Sequence, residues 1–252
     1  MKQAPIFWDV DTQVDFMHPG GKLYVPGAEK LAPNLRRLTE WAAQQRILVV
    51  ASMDAHREGD DEFQEYPPHC LVGTPGQQKI PETVLPRQYV IPNRRAELPP
   101  KLADFQQVIV EKQRFDVFTN PNLDALLAQL GAGREIVLYG VVTEICVHHA
   151  ARGLLERGYR VRLVRDAIHH LDETKGRATL ALVKERGGQL VTTDEVVGGL
   201  RPEQNPRNFP AKKKTKCLRL GEPAIEVGEE QSHDCVQGGA QRGNQQIEGG
   251  SE

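Results

Sequence analysis

Cysteine is scarce in this chain. Four occur among 252 residues, none in a CxxC spacing. That argues against a disulfide framework and a cysteine-based zinc module, and points to a reduced, cytoplasmic protein. An excess of one charge is also lacking: 32 Lys and Arg face 34 Asp and Glu, a formal net charge of -2. There is therefore no electrostatic case for a nucleic-acid or membrane-surface partner. No apolar run approaches the roughly 18 residues of a membrane span. Met1-Lys-Gln-Ala-Pro5 leads straight into a strand-like run without an apolar h-region, so no secretory signal is expected. Neither a GxGxxG nor a P-loop occurs. Gly20-Gly21 and Gly198-Gly199 read as turn punctuation.

What is present suits a globular α/β protein. The chain is 39% hydrophobic and 26% charged, and long enough for one sizeable domain or two small ones. Strand-like runs lie at Ile6–Asp11, Arg46–Ser52, Gln107–Glu111, Glu135–Tyr139, Tyr159–Val164 and Gln189–Thr192. Helical periodicity covers Gly27–Gln45, Pro121–Leu130 (Asn120 as N-cap, Pro at N1), Thr143–Gly158 and Asp172–Arg186. Between Arg57 and Pro100 prolines punctuate a long loop in which only Gln88–Ile91 reads as a strand. Phe63, Tyr66, His69, Cys70 and Leu71 in it suggest order over a site. This alternation predicts a three-layer, Rossmann-like parallel sheet flanked by helices on both faces. The domain is expected over residues 1–200. Residues 201–252, with Lys212-Lys-Lys-Thr-Lys216 and then Gly, Gln and Glu, read as a disordered tail.

Three reactive groups stand at strand ends, where parallel sheets bind ligands: Asp11, Lys112 and Cys146. If their strands are neighbours, Asp11 can take the Cys146 proton while Lys112 keeps Asp11 ionised and favours thiolate. Cys146 also lies in the first turn of a helical run, where unpaired N–H groups and the helix dipole favour thiolate. Taken alone, each residue has a bland reading: a buried small residue, a turn acid, a strand-end cation. Asp54, His56, Glu62 and His69 form a second group. Asp54 and His56 can point the same way from an extended segment. One Asp and two His, completed by Glu or water, suit zinc, with iron or manganese as alternatives. His148 and His149 do not share a helix face and read as packing or surface residues. His169 and His170 fall in a strand-to-helix loop, and His18 in an early loop.

Five motifs in order resemble the isochorismatase-like cysteine hydrolases, and within them the nicotinamidase (pyrazinamidase) type. They are Asp11-Thr-Gln-Val-Asp-Phe16, Asp54-Ala-His56, Tyr66-Pro-Pro-His69-Cys70, Glu111-Lys112-Gln-Arg-Phe-Asp-Val-Phe118 and Gly140-Val-Val-Thr-Glu-Ile-Cys146. The resemblance implies the isochorismatase-like hydrolase fold and an Asp11, Lys112, Cys146 triad. It also implies a cis peptide between Val141 and Val142, with the N–H groups of Val142 and Cys146 as oxyanion hole. A divalent metal on Asp54, His56 and His69 would anchor a pyridine nitrogen, with Glu62 where relatives often carry a further His. Phe16 and Tyr66 would sandwich the ring. The implied reaction is hydrolysis of nicotinamide to nicotinate and ammonia through a cysteine thioester, in NAD salvage. The implied partner is a small-molecule amide, and the resemblance is compatible with a homo-oligomer. The alternatives are another amidase or hydrolase of that family, or a non-catalytic binding module. A chain ending after Leu200 is expected to keep the thermal unfolding midpoint and hydrolytic rate of the full chain; loss of folding on truncation would show that the tail belongs to the fold.

Overall fold

A computed structural model describes residues 3–199; the expected tail lies outside them. The strands are β1 (Ile6–Val10), β2 (Val49–Asp54), β3 (Gln88–Ile91), β4 (Gln107–Lys112), β5 (Glu135–Val141), β6 (Arg160–His169) and β7 (Gln189–Val191). The α-helices are α1 (Val14–Met17), α2 (Ala32–Gln45), α3 (Leu123–Leu130), α4 (His148–Glu156), α5 (Glu173–Glu185) and α6 (Thr193–Gly199). All seven strands form one sheet in the order β3-β4-β2-β1-β5-β6-β7, and every pairing is parallel. Among the described residues no helix is long and apolar enough to cross a membrane.

The near-continuous apolar strands follow from burial on both sheet faces. Alternate residues serve opposite layers. Ile6, Trp8 and Val10 of β1 join Ile136 and Leu138 of β5 in one core with Leu123, Leu126 and Leu130 of α3 and Ala150, Ala151 and Leu154 of α4. Phe7 of β1 joins Val137, Tyr139 and Val141 of β5 in the other, covered by Leu35, Leu38 and Ala42 of α2 and Val196 of α6. Each large apolar side chain so enclosed contributes about 1.5–3 kcal/mol.

The strand order departs from the expected adjacency. The β1 and β5 strands are neighbours, but β2 stands between β1 and β4. The strands of Asp11 and Lys112 are therefore not neighbours, and Asp54 of β2 lies between them, in register with Lys112. Helix α3 starts at Leu123 rather than Pro121. Asn122 rather than Asn120 is therefore the N-cap; Asn120 accepts the Asn122 N–H on its Oδ1 just ahead of the helix, while its amide donates to Pro92 O and Glu111 O. Strand β6 runs on to His169, so the pair His169-His170 straddles a strand end rather than lying in a loop. The polar Arg165-Asp166 step that reads as the strand's end falls in a break of register between Leu163 and Ile168. Asp166 is used there by the neighbours: its carbonyl accepts from Asn34 and its carboxylate from Thr193, at the start of the unanticipated α6.

Strands β2, β3 and β4 lie on one side of β1, and after β4 the chain crosses to the other side to form β5, β6 and β7, so the crevice outside the carboxyl ends of β1 and β5 is the switch point of the sheet. Gly140 makes the close approach possible there. Its φ is +121°, and a Cβ would lie 2.1 Å from Val10 O. Gly140→Ala combines a strained φ with a backbone clash, so it should lower stability by roughly 2–5 kcal/mol. Urea unfolding midpoints at equal m-value would measure this.

Candidate functional site

The crevice collects the three strand-end groups around one buried ammonium. Lys112 Nζ lies 2.9 Å from Asp11 Oδ2 and 3.7 Å from Cys146 Sγ, and it donates a short hydrogen bond to Asp54 Oδ1. Asp11 and Lys112 are fully buried and Cys146 is nearly so. Asp11 Oδ1 accepts from Ser52 Oγ at 2.6 Å. Burial by itself would depress the Lys112 pKa, but Asp11 and Asp54 outweigh it and hold the ammonium well above its ordinary value.

Cys146 differs from the expectation for a helix start. It sits in a π-helical turn, Thr143–Val147, ahead of α4. Burial pushes its thiol well up, and the pull of Lys112 does not overcome this in the presence of Asp11 and Asp54. That direction favours the thiol over the thiolate, so attack calls for a proton acceptor. The peptide between Val141 and Val142 is cis, as the resemblance implied.

The second group assembles beside the first. Strand β2 delivers Asp54 at its end. His56 is held by a short parallel bridge to the Leu71 segment: His56 N–H donates to Cys70 O and Val72 N–H to His56 O. Asp54, His56 and His69 are all buried, with their ligand atoms within 4.8 Å of one another. His56 Nε2 is 4.0 Å from Asp54 Oδ2 and 3.9 Å from Glu62 Oε1; His69 Nε2 is 3.9 and 3.7 Å from the same two oxygens.

Both Nε2 atoms are buried without a hydrogen-bond partner. Each ring's Nδ1 is engaged, in His56 with Asp60 Oδ2 at 3.0 Å and in His69 with Pro67 O at 2.9 Å. That arrangement turns the Nε2 lone pairs inward, as in metal-bound histidines. Tetrahedral ligands about 2.0–2.2 Å from zinc stand about 3.3–3.6 Å apart, so the four histidine–carboxylate separations need a contraction of only a few tenths of an ångström. Burial lowers the His69 pKa, which favours the neutral ring. Burial raises the Glu62 carboxyl, and it raises Asp54 to about 6 against the pull of Lys112. The residues fit a divalent cation.

Phe16 packs on His69, ring centroids 5.4 Å apart, and Tyr66 meets Phe115 edge-on at 5.9 Å. Several partners carried no assignment from sequence. Asp60 bonds to His56, to the Arg57 N–H and to Gln113, and these hold its carboxyl below the usual range although burial opposes them. Phe63 lies 5.1 Å from His56. Ser52, Phe115 and Gln13 complete the set. Asp60 could have been suspected from its i+4 spacing to His56. The rest are visible only once separate strands meet. His148 bonds to Thr179, and His149 lies 3.8 Å from Asp116, both part-buried.

Known proteins share the fold. The family model described as "Isochorismatase domain" matches residues 7–98 and 92–195. Over 175 residues the chain is 29% identical to the nicotinamidase of Escherichia coli strain K12, covering 62% of this chain and 79% of that one. The zinc complex of the pyrazinamidase of Pyrococcus horikoshii superposes with a TM-score of 0.60 at 28% identity, covering 74% of this chain and 98% of that one. The N-carbamoylsarcosine amidase of Thermoplasma acidophilum does so with a TM-score of 0.60 at 27% identity, covering 77% and 98%. With the family model matched over most of its length, the chain belongs to the isochorismatase family.

Proposed function

We propose that this hydrolase is a metal-dependent amidase of the nicotinamidase type, converting nicotinamide to nicotinate and ammonia. The observation that carries the reading is the pair of buried, unpartnered Nε2 atoms of His56 and His69 facing Asp54 and Glu62. The same Asp54 binds Lys112, which contacts Cys146. A metal held by Asp54, His56, His69 and Glu62 would supply a Lewis-acidic anchor for the pyridine nitrogen, next to a thiol suited to attack the amide. An amide lacking such a donor would leave this set without a use, and that favours a pyridine carboxamide over a ureido substrate.

The protein's own residues supply the chemistry. Asp11 takes the thiol proton as Cys146 Sγ adds to the amide carbon. The N–H groups of Val142 and Cys146 stabilise the oxyanion. Asp11 passes the proton to the leaving nitrogen, the C–N bond breaks, and ammonia departs from a thioester. Asp11 then draws a proton from water, hydroxide adds to the thioester carbon, and nicotinate leaves as Cys146 recovers its proton. Lys112 holds Asp11 and Cys146 in place through its contacts at 2.9 and 3.7 Å. Phe16 and Tyr66 hold the ring. This activity would serve NAD salvage in a cytoplasmic setting, and self-association is compatible with it.

Ammonia release from nicotinamide should fall at least about 10³-fold in Cys146→Ala. Chelation should abolish it and added zinc restore it. A zinc-loaded wild-type chain that releases no ammonia from nicotinamide or pyrazinamide would overturn the reading. Asp60→Ala removes the carboxylate that orients His56, so zinc should bind about 10–100-fold more weakly. Titration against a chromophoric chelator would measure it.

A further inference from the structure

Gln13 is fully buried and stands at the N-cap of α1, yet its side chain makes no capping bond there. Its amide is spent elsewhere. Nε2 donates to Asp54 O and to Gln77 O, each at 2.8 Å, and Oε1 accepts the Asp54 N–H at 2.7 Å. The side chain thus pairs with the Asp54 backbone in both directions, as a neighbouring strand would. It does so where the Asp54 carboxylate is divided, Oδ1 on Lys112 and Oδ2 toward the two histidines. A carboxylate shared in this way tolerates little rotation of its backbone.

Two residues on, Asp15 reaches the other half of the donor set. Its Oδ2 accepts the Cys70 N–H at 2.7 Å, and its Oδ1 accepts the Lys22 N–H at 3.0 Å. Cys70 directly follows His69 and has a φ of +45°, a left-handed conformation uncommon for a residue with a side chain. The carboxylate fits because position 76 is glycine: a Cβ there would lie 2.4 Å from its carboxyl carbon.

We propose that Gln13 and Asp15 are positioning residues that preset the metal donors, Gln13 through Asp54 and Asp15 through His69. The proposal rests on the metal-site reading above and extends it to a short segment that itself supplies no metal ligand. Residues that merely stabilise the fold would lower the unfolding temperature and leave metal affinity alone. Residues that set donor geometry would weaken the metal even in a folded chain.

The test uses the full chain. Zinc affinity is read by competition with a chromophoric chelator, and the visible spectrum of the cobalt(II)-loaded protein reports donor geometry. Gln13→Met keeps the length and removes all three bonds; Asp15→Asn keeps the shape and loses one acceptor. Both should bind zinc about 10–100-fold more weakly and alter the cobalt spectrum. Thr83→Val serves as a control, since Thr83 is fully buried and bonded to Thr12 and Ile80 but touches neither Asp54 nor the Cys70 segment. It should lower stability and keep zinc affinity within about twofold, well inside the effect expected of the positioning residues. If Gln13→Met does not fold, Asp15→Asn decides. Folded variants with wild-type zinc affinity, or a Thr83→Val chain weakened as much, would overturn the proposal. A wild-type chain that binds zinc but does not hydrolyse nicotinamide would refute the substrate reading and leave this one standing.

Discussion

One buried ammonium organises this molecule. Lys112 lies without solvent contact between Asp11 and Asp54, within reach of Cys146. Desolvating such charges is expensive, and only mutual pairing offsets it; removing one partner of a buried pair typically costs about 3–5 kcal/mol. Three strands must therefore end at one level: β1 carrying Asp11 just beyond it, β2 carrying Asp54, and β4 carrying Lys112. The switch point of the sheet brings the Cys146 turn in from β5.

Asp54 joins the two halves of the site. One oxygen meets the ammonium and the other faces the unpartnered histidine nitrogens. A cation bound there would share a ligand with the group that holds Asp11, so in the proposed reaction substrate anchoring and proton transfer would be linked through one side chain. The Pro-rich loop contributes by closing back on itself. His56 and the Leu71 segment bridge, and the 77–80 segment lies along residues 12–14, where Val14 N–H donates to Gln78 O and Ile80 N–H to Thr12 O. Buried Lys79 adds an ion pair with Asp9 at 2.8 Å.

Much of this was legible in the chain. Parallel strands buried on both faces leave continuous apolar runs, and helices leave period-3.6 stripes, so the layer architecture could be read directly. Residues bearing protons or metal affinity, placed just after such runs, marked the crevice. Boundaries were less legible where a polar residue serves a distant partner. Asn120 looked like a helix cap but bonds to Pro92 and Glu111. Arg165-Asp166 looked like a strand end, yet Asp166 anchors α2 and α6. A helix start favours a Cys146 thiolate, whereas burial, a property of the assembled site that no local pattern shows, pushes the thiol up.

The amino-acid sequence by itself determined the strand–helix alternation, the identity of the reactive groups and their places at strand ends, because these depend on local patterning. Only the tertiary structure decided that β2 intervenes between Asp11 and Lys112, that Asp54 consequently serves both ammonium and histidines, and that the Gln13 amide pairs with the Asp54 backbone. Strand order and long-range hydrogen bonds arise from how whole layers pack, and residues 41 or 58 positions apart carry no local sign that they will touch.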